Sequence, residues 1–156
     1  MSPTATTRHV TCPDPAATSR LGAALASVAR PGDLICLWGD LGAGKTHLAK
    51  AFGAALGVEE TMTSPSFILM AEYEGRIPLF HIDLYRLADA ADALAGGLID
   101  ERQAEGVTLV EWPDRLGEAL PEARLDVRID GSSDEPRQID IVAGSDAYRR
   151  YLDACP

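Results

Sequence analysis

The run Gly39-Asp40-Leu41-Gly42-Ala43-Gly44-Lys45-Thr46 fits the pattern G-x-x-x-x-G-K-[ST], and each part of it suits a phosphate. Glycines let backbone N–H groups face an anion with no side chain in between. Lys45 offers a point charge to β and γ phosphates, Thr46 offers a hydroxyl to Mg²⁺, and a helix N-terminus at this point favours the anion further. The competing reading is a plain glycine-rich turn between a strand and a helix. The flanking residues weigh against it, because an apolar run of strand length precedes the loop and a helical pattern follows it.

Such a loop needs an acid at the end of a neighbouring strand to hold or orient the metal shell. Two apolar runs end in one, Pro78 to Asp83 and Val107 to Glu111. At the C-terminal ends of parallel strands, Asp83 and Glu111 would lie on the ligand-binding edge of a sheet; each could equally be a solvated strand-end carboxylate. Thr63, Ser64 and Ser66 form a hydroxyl cluster that reads either as a γ-phosphate switch or as an ordinary capped turn. Trp112 borders either the nucleotide or the core. His9, His47 and His81 share no metal-ligand spacing. The chain contains no asparagine, so a guanine-reading N-K-x-D motif is impossible and adenine is the better base. A small-molecule kinase usually gathers several cations at a second phosphate site, and these arginines are scattered.

The elements that position these residues follow the hydrophobic pattern. Ala16 to Ala29 reads as a helix with Leu21, Leu25 and Val28 on one stripe, ended by Pro31-Gly32. Leu34 to Trp38 reads as a buried strand, and the residues after Lys45 as a helix closed at Gly57 in a left-handed conformation. Ile68 to Tyr73 predicts a strand, Glu74-Gly75 a hairpin turn, and Leu87 to Ile99 one or two helices broken near Gly96-Gly97. Leu125 to Ile129 and Gln138 to Val142 flank the turn-forming Gly131 to Pro136 as a final strand pair, and a short helix follows around Ala147 to Leu152.

At 156 residues the chain fits one domain, residues 1–156, with about residues 1–9 as a flexible N-terminus. Its 46% hydrophobic and 24% charged composition is that of a globular protein. No signal-peptide core or membrane-length run occurs, so a soluble, unexported, cytoplasmic protein is expected. Cys12, Cys36 and Cys155 have no paired spacing, and Cys36 reads as a buried thiol. The formal net charge is −10, only Lys45 and Lys50 are lysines, and there is no basic stripe. A surface this acidic repels phosphate backbones, so direct nucleic-acid binding is not expected.

Four segments together resemble the TsaE (YjeE) family, the bacterial ATPase component of the tRNA threonylcarbamoyladenosine system. They are Leu37 to Thr46 (LWGDLGAGKT), Thr63 to Phe67 (TSPSF), His81 to Leu87 (HIDLYRL) and Val110 to Pro113 (VEWP), in family order and spacing. The resemblance implies that Thr46 and Glu111 coordinate Mg²⁺, that Asp83 serves hydrolysis as a Walker-B-like acid alongside Lys45 and Glu111, and that Leu41 to Thr46 wrap the phosphates. The nucleotide-binding set is then Gly39, Leu41, Gly42, Ala43, Gly44, Lys45 and Thr46, with Arg137, at the start of the last strand, as a candidate adenine contact. Ser66 departs from the family's threonine but keeps the hydroxyl. The family's proteins hydrolyse ATP poorly alone and work with TsaB and TsaD. The implied role is to bind that pair and reset it between turnovers, meeting tRNA only through the complex and no membrane.

The fold expected is α/β: a single-domain, P-loop NTPase-like three-layer arrangement with a mostly parallel central sheet flanked by helices. The alternatives to a partner-regulated ATPase are a small-molecule kinase and a nucleotide-gated binding module in which hydrolysis is incidental.

Overall fold

A computed structural model describes residues 6–40, 42–62, 70–85 and 101–156. The expected hydroxyl loop (Thr63, Ser64, Ser66), the helical stretch Leu87 to Ile99 and Leu41 lie outside the described residues. The strands are β1 (Thr7–Cys12), β2 (Leu34–Trp38), β3 (Met70–Tyr73), β4 (Leu79–Asp83), β5 (Val107–Glu111), β6 (Leu125–Asp130) and β7 (Arg137–Ala143). The α-helices are α1 (Pro15–Ser27), α2 (Lys45–Leu56) and α3 (Arg149–Ala154). The seven strands form one sheet in the order β1-β7-β6-β2-β5-β4-β3.

The sheet is mixed, which corrects the expectation of a mostly parallel one. The central run β6-β2-β5-β4 is parallel, and both wings, β1-β7-β6 and β4-β3, are antiparallel. Connection length is the reason. Residues 74–78 and 131–136 are too few to make the crossover a parallel neighbour needs, so β3-β4 and β6-β7 return as hairpins. β1 occupies an edge and pairs with β7 from Thr7↔Val142 to Cys12↔Arg137. The stretch of residues 1–9 expected to be flexible therefore overlaps a strand that begins at Thr7.

Local chemistry sets the helix ends. The Asp14 carboxylate accepts from the Ala17 N–H at 2.8 Å and Pro15 opens the first turn of α1. Gly57 closes α2 at φ 100°, the left-handed cap its type predicts. α1 and α2 pack against each other and share a core with one face of the sheet, in which Leu21, Leu25, Leu48, Phe52, Leu37 and Leu109 are buried. The other face gathers Cys36, Ile82, Leu84, Val110 and Leu116, with Trp38 and Trp112 packed at its margin. Burial pushes the Cys36 thiol up to about 12, as befits an inert core sulfur. Among the described residues no helix is long and apolar enough to cross a membrane.

A polar latch fastens the end of the chain beneath β2. Asp33, one residue before β2, accepts from Arg150 and from the Tyr151 hydroxyl, the latter at 2.5 Å. Tyr148 accepts from the Leu34 N–H at 2.9 Å. The side chains of Asp33 and Arg150 are 11% and 16% exposed, so removing one partner strands a charge in a poorly hydrated place. Asp33→Ala is expected to destabilise the fold by about 3 kcal/mol and Tyr151→Phe by about 1 kcal/mol, read from urea unfolding midpoints.

Candidate functional site

β2 delivers the glycine-rich loop to the C-terminal edge of the sheet, and α2 begins at its last two residues. Gly44 precedes α2 at φ 106°, a conformation that favours glycine, and no side chain caps the helix start. Gly44, the residue before α2, has no side chain with which to bond the first-turn N–H groups, and the positive end of the helix lies at the end of the loop. A Cβ built on Gly42 would meet nothing within 4 Å, so the loop backbone faces open space. Gly39 is tight instead, since a Cβ there would come 2.8 Å from the Ile129 carbonyl oxygen.

Lys45 is 5% exposed. Its Nζ donates to the Gly39 carbonyl at 2.5 Å and sits 3.4 Å from the centre of the Trp112 ring, a cation–π contact. Burial lowers the ammonium's pKa, and the carboxylates of Glu111, Asp83, Asp114 and Asp40 only partly offset that. Trp112 itself adopts φ 60°, unusual for a bulky residue, and its ring lies 5.1 Å from that of Tyr85. Strain of this kind persists where surrounding contacts over-determine the conformation. Here the ammonium on one side and the tyrosine ring on the other supply them.

The two strand-end acids are neighbours. Asp83 and Glu111 are paired in the β4-β5 register. Glu111 is 2% exposed and accepts from the Thr46 hydroxyl at 3.1 Å. Asp83 is less buried, and its carboxylate accepts from the Tyr85 N–H at 3.0 Å. The arrangement brings together Gly39, Gly42, Ala43, Gly44, Lys45, Thr46, Asp83 and Glu111 at one corner.

Arg137 reaches the same loop from β7. Its guanidinium donates to the carbonyls of Ala43 at 2.8 Å and Gly42 at 3.4 Å, and also to those of Glu135 and Ser133. Beside it lies a cavity of about 380 Å³ between the start of α1, the loop and the β6-β7 turn, lined among others by Cys12, Thr18, Gly44, His47, Glu135 and Arg137. That position adjoins the loop amides and has the size and mixed lining of a small-molecule site. A separate cavity of about 300 Å³ on the opposite face is lined by Leu34, Ile82, Leu84, Val110 and Leu116 and by none of the loop residues.

Sequence reasoning missed four participants. His47 bonds Ser19 Oγ at 3.0 Å and the Pro15 carbonyl at 3.1 Å, tying α2 to α1 at the cavity. Cys12 and Thr18 line that cavity from segments that carry no motif. His81 bonds Glu111 Oε2 at 2.6 Å. Only His81 had a signal: it stands two residues before Asp83 on one strand, and alternate residues share a face.

Comparison with known proteins bears on this corner. A family model described as "Threonylcarbamoyl adenosine biosynthesis protein TsaE" matches residues 12–139. The chain is 39% identical over 136 residues to the tRNA threonylcarbamoyladenosine biosynthesis protein TsaE of Bacillus subtilis, covering 86% of this chain and 85% of that one. It is 36% identical over 125 residues to the protein of the same name from Treponema pallidum, covering 80% and 93%. The crystal structure of Bacillus subtilis YdiB superposes with a TM-score of 0.78 at 31% identity, over 97% of this chain and 95% of that chain.

Lys45→Met tests the corner directly. ATP affinity is expected to fall by about 10- to 100-fold, the worth of a charge-assisted hydrogen bond. The nucleotide-free melting temperature is expected to be no lower than the parent's. A lysine with a lowered folded pKa costs folding stability below that pKa, a cost relieved as pH rises through it toward 10.5. Isothermal titration with ATP and a thermal melt of each protein check both halves.

Proposed function

The chain belongs to the TsaE family, and on that premise we propose that it is a Mg²⁺-dependent ATPase of the bacterial tRNA N6-threonylcarbamoyladenosine machinery. Homologues carry names in that biosynthesis. The observation that carries the ATPase reading is the meeting of the α2 N-terminus behind the glycine-rich loop, the buried Lys45 ammonium and the Thr46–Glu111 pair at one sheet edge.

The residues fit the groups this reading requires. Hydroxyl and carboxylate oxygens suit a hard cation, and Mg²⁺ characteristically takes one or two protein ligands plus phosphates and water. Among the described residues no three His, Cys, Asp or Glu side chains gather into a metal cage, which agrees with a metal that arrives with its nucleotide. Thr46 and Glu111 would hold it. When bound, such an ion neutralises charge that develops on the β and γ phosphates.

The chain's own residues do the rest. Loop amides from Gly42 to Thr46 bind the phosphates. Lys45 exchanges the Gly39 carbonyl and the Trp112 face for phosphate oxygens, an exchange favoured by the weak hydration of its buried ammonium. Asp83, beside Glu111 in register, orients the attacking water. Adenine and ribose occupy the cavity between Cys12, His47 and Glu135. Arg137 contributes chiefly by holding the loop, because its donors go to main-chain carbonyls.

The partners are TsaB and TsaD, and hydrolysis resets that pair between turnovers. The net charge of −10 supports docking on proteins rather than on RNA, so tRNA is met only through the complex. ATP turnover by the chain alone is expected to be slow and to rise on addition of purified TsaB–TsaD; the absence of both stimulation and co-purification would remove the proposal. Asp83→Asn is expected to keep ATP affinity while slowing phosphate release by about 100-fold or more.

A further inference from the structure

Resting on that reading, Glu111 is the acid on the metal, and at 2% exposure its carboxylate needs donors on both oxygens. Thr46 serves Oε1 at 3.1 Å and His81 Nε2 serves Oε2 at 2.6 Å. The two come from different places. Thr46 rides on the first turn of α2, whereas His81 belongs to β4, the strand beside Glu111's own. Leu79 and Leu109, two residues before His81 and Glu111, are both in the core shared with α2. By alternation His81 and Glu111 therefore project from that same face.

His81 is 1% exposed, and its Nδ1 is the one buried side-chain polar atom with no hydrogen-bond partner among the described residues. That orphan selects the tautomer. With Nε2–H donating to Glu111, Nδ1 carries only a lone pair; the other tautomer would bury a bare N–H, which costs more. Among the described residues the ring's only bond is thus to Glu111. A leucine would bring no unsatisfied atom of its own to this buried position but would take the 2.6 Å donor from Glu111 Oε2, so packing alone does not explain an imidazole here.

We propose that His81 is a positioning residue: its Nε2–H pins Glu111 Oε2 and fixes the carboxylate plane, so that Oε1 stays turned toward Thr46 and the metal.

The test is binding of a fluorescent methylanthraniloyl ATP analogue to the intact chain, with magnesium and with EDTA. A glutamine amide ends near the position of ring Nε2 and an asparagine amide near that of Nδ1, so only glutamine keeps the donor on Glu111. His81→Asn is expected to weaken magnesium-dependent binding about 10-fold, as loss of a carboxylate's supporting bond does, with affinity in EDTA unchanged. His81→Gln is expected to restore most of it. If the asparagine variant fails to fold, His81→Leu takes its place with the same expectation. Parent-like magnesium-dependent binding by the donor-less variant, or equal losses with magnesium and with EDTA, overturns the role of His81. A parent whose binding ignores magnesium overturns the metal-nucleotide reading itself, and the role of His81 with it.

Discussion

An ammonium that is almost wholly withdrawn from water must be held by something, and much of this corner answers to that demand. Lys45 has a carbonyl on one side and an indole face on the other. The carbonyl belongs to Gly39, so the loop must curl back on its own beginning. The indole belongs to Trp112, so the chain after β5 must take a left-handed step to present the ring. Both contacts satisfy the cation without neutralising it, since neither partner carries a full negative charge.

The sheet's mixed direction serves the same corner. Only parallel strands end at a common edge, and the four central strands bring Trp38, Asp83, Glu111 and Asp130 to it. Antiparallel wings work differently: β7 runs the opposite way, so its first residue, not its last, lies at this edge. That reversal is how Arg137 reaches the loop carbonyls and how the residue at the end of β1, Cys12, comes to border the cavity.

What could be read from the sequence was what is local. The loop, its flanking strand and helix, and the two strand-end acids announce themselves within a few residues, and the register then sets Asp83 beside Glu111. β1 escaped because it is an edge strand, TRHVTC, mostly exposed and with no apolar alternation; its polar side chains pair across the edge, His9 with Asp140 and Gln138. The mixed sheet escaped because runs ending in acids suggest parallel strands, while strand direction is decided by the lengths of the connections between them. His81 was set aside for lacking metal spacing, though its meaning lay in a bond to the neighbouring strand. Arg137 was read as a candidate adenine contact; its bonds to the Ala43 and Gly42 carbonyls had no sequence signal, since a contact to main-chain carbonyls leaves no trace in residue types.

The grip of Arg137 on Ala43 spans 94 positions of sequence. By engaging the Gly42 and Ala43 carbonyls it fixes those peptide planes, which leaves less ordering cost for anything the loop takes up. The order of the loop can accordingly be retuned from a distant hairpin: drift in the 131–136 turn would loosen or tighten the clamp while every residue of the loop stayed the same. Relatives with identical loops could then differ widely in how rigidly those loops are held.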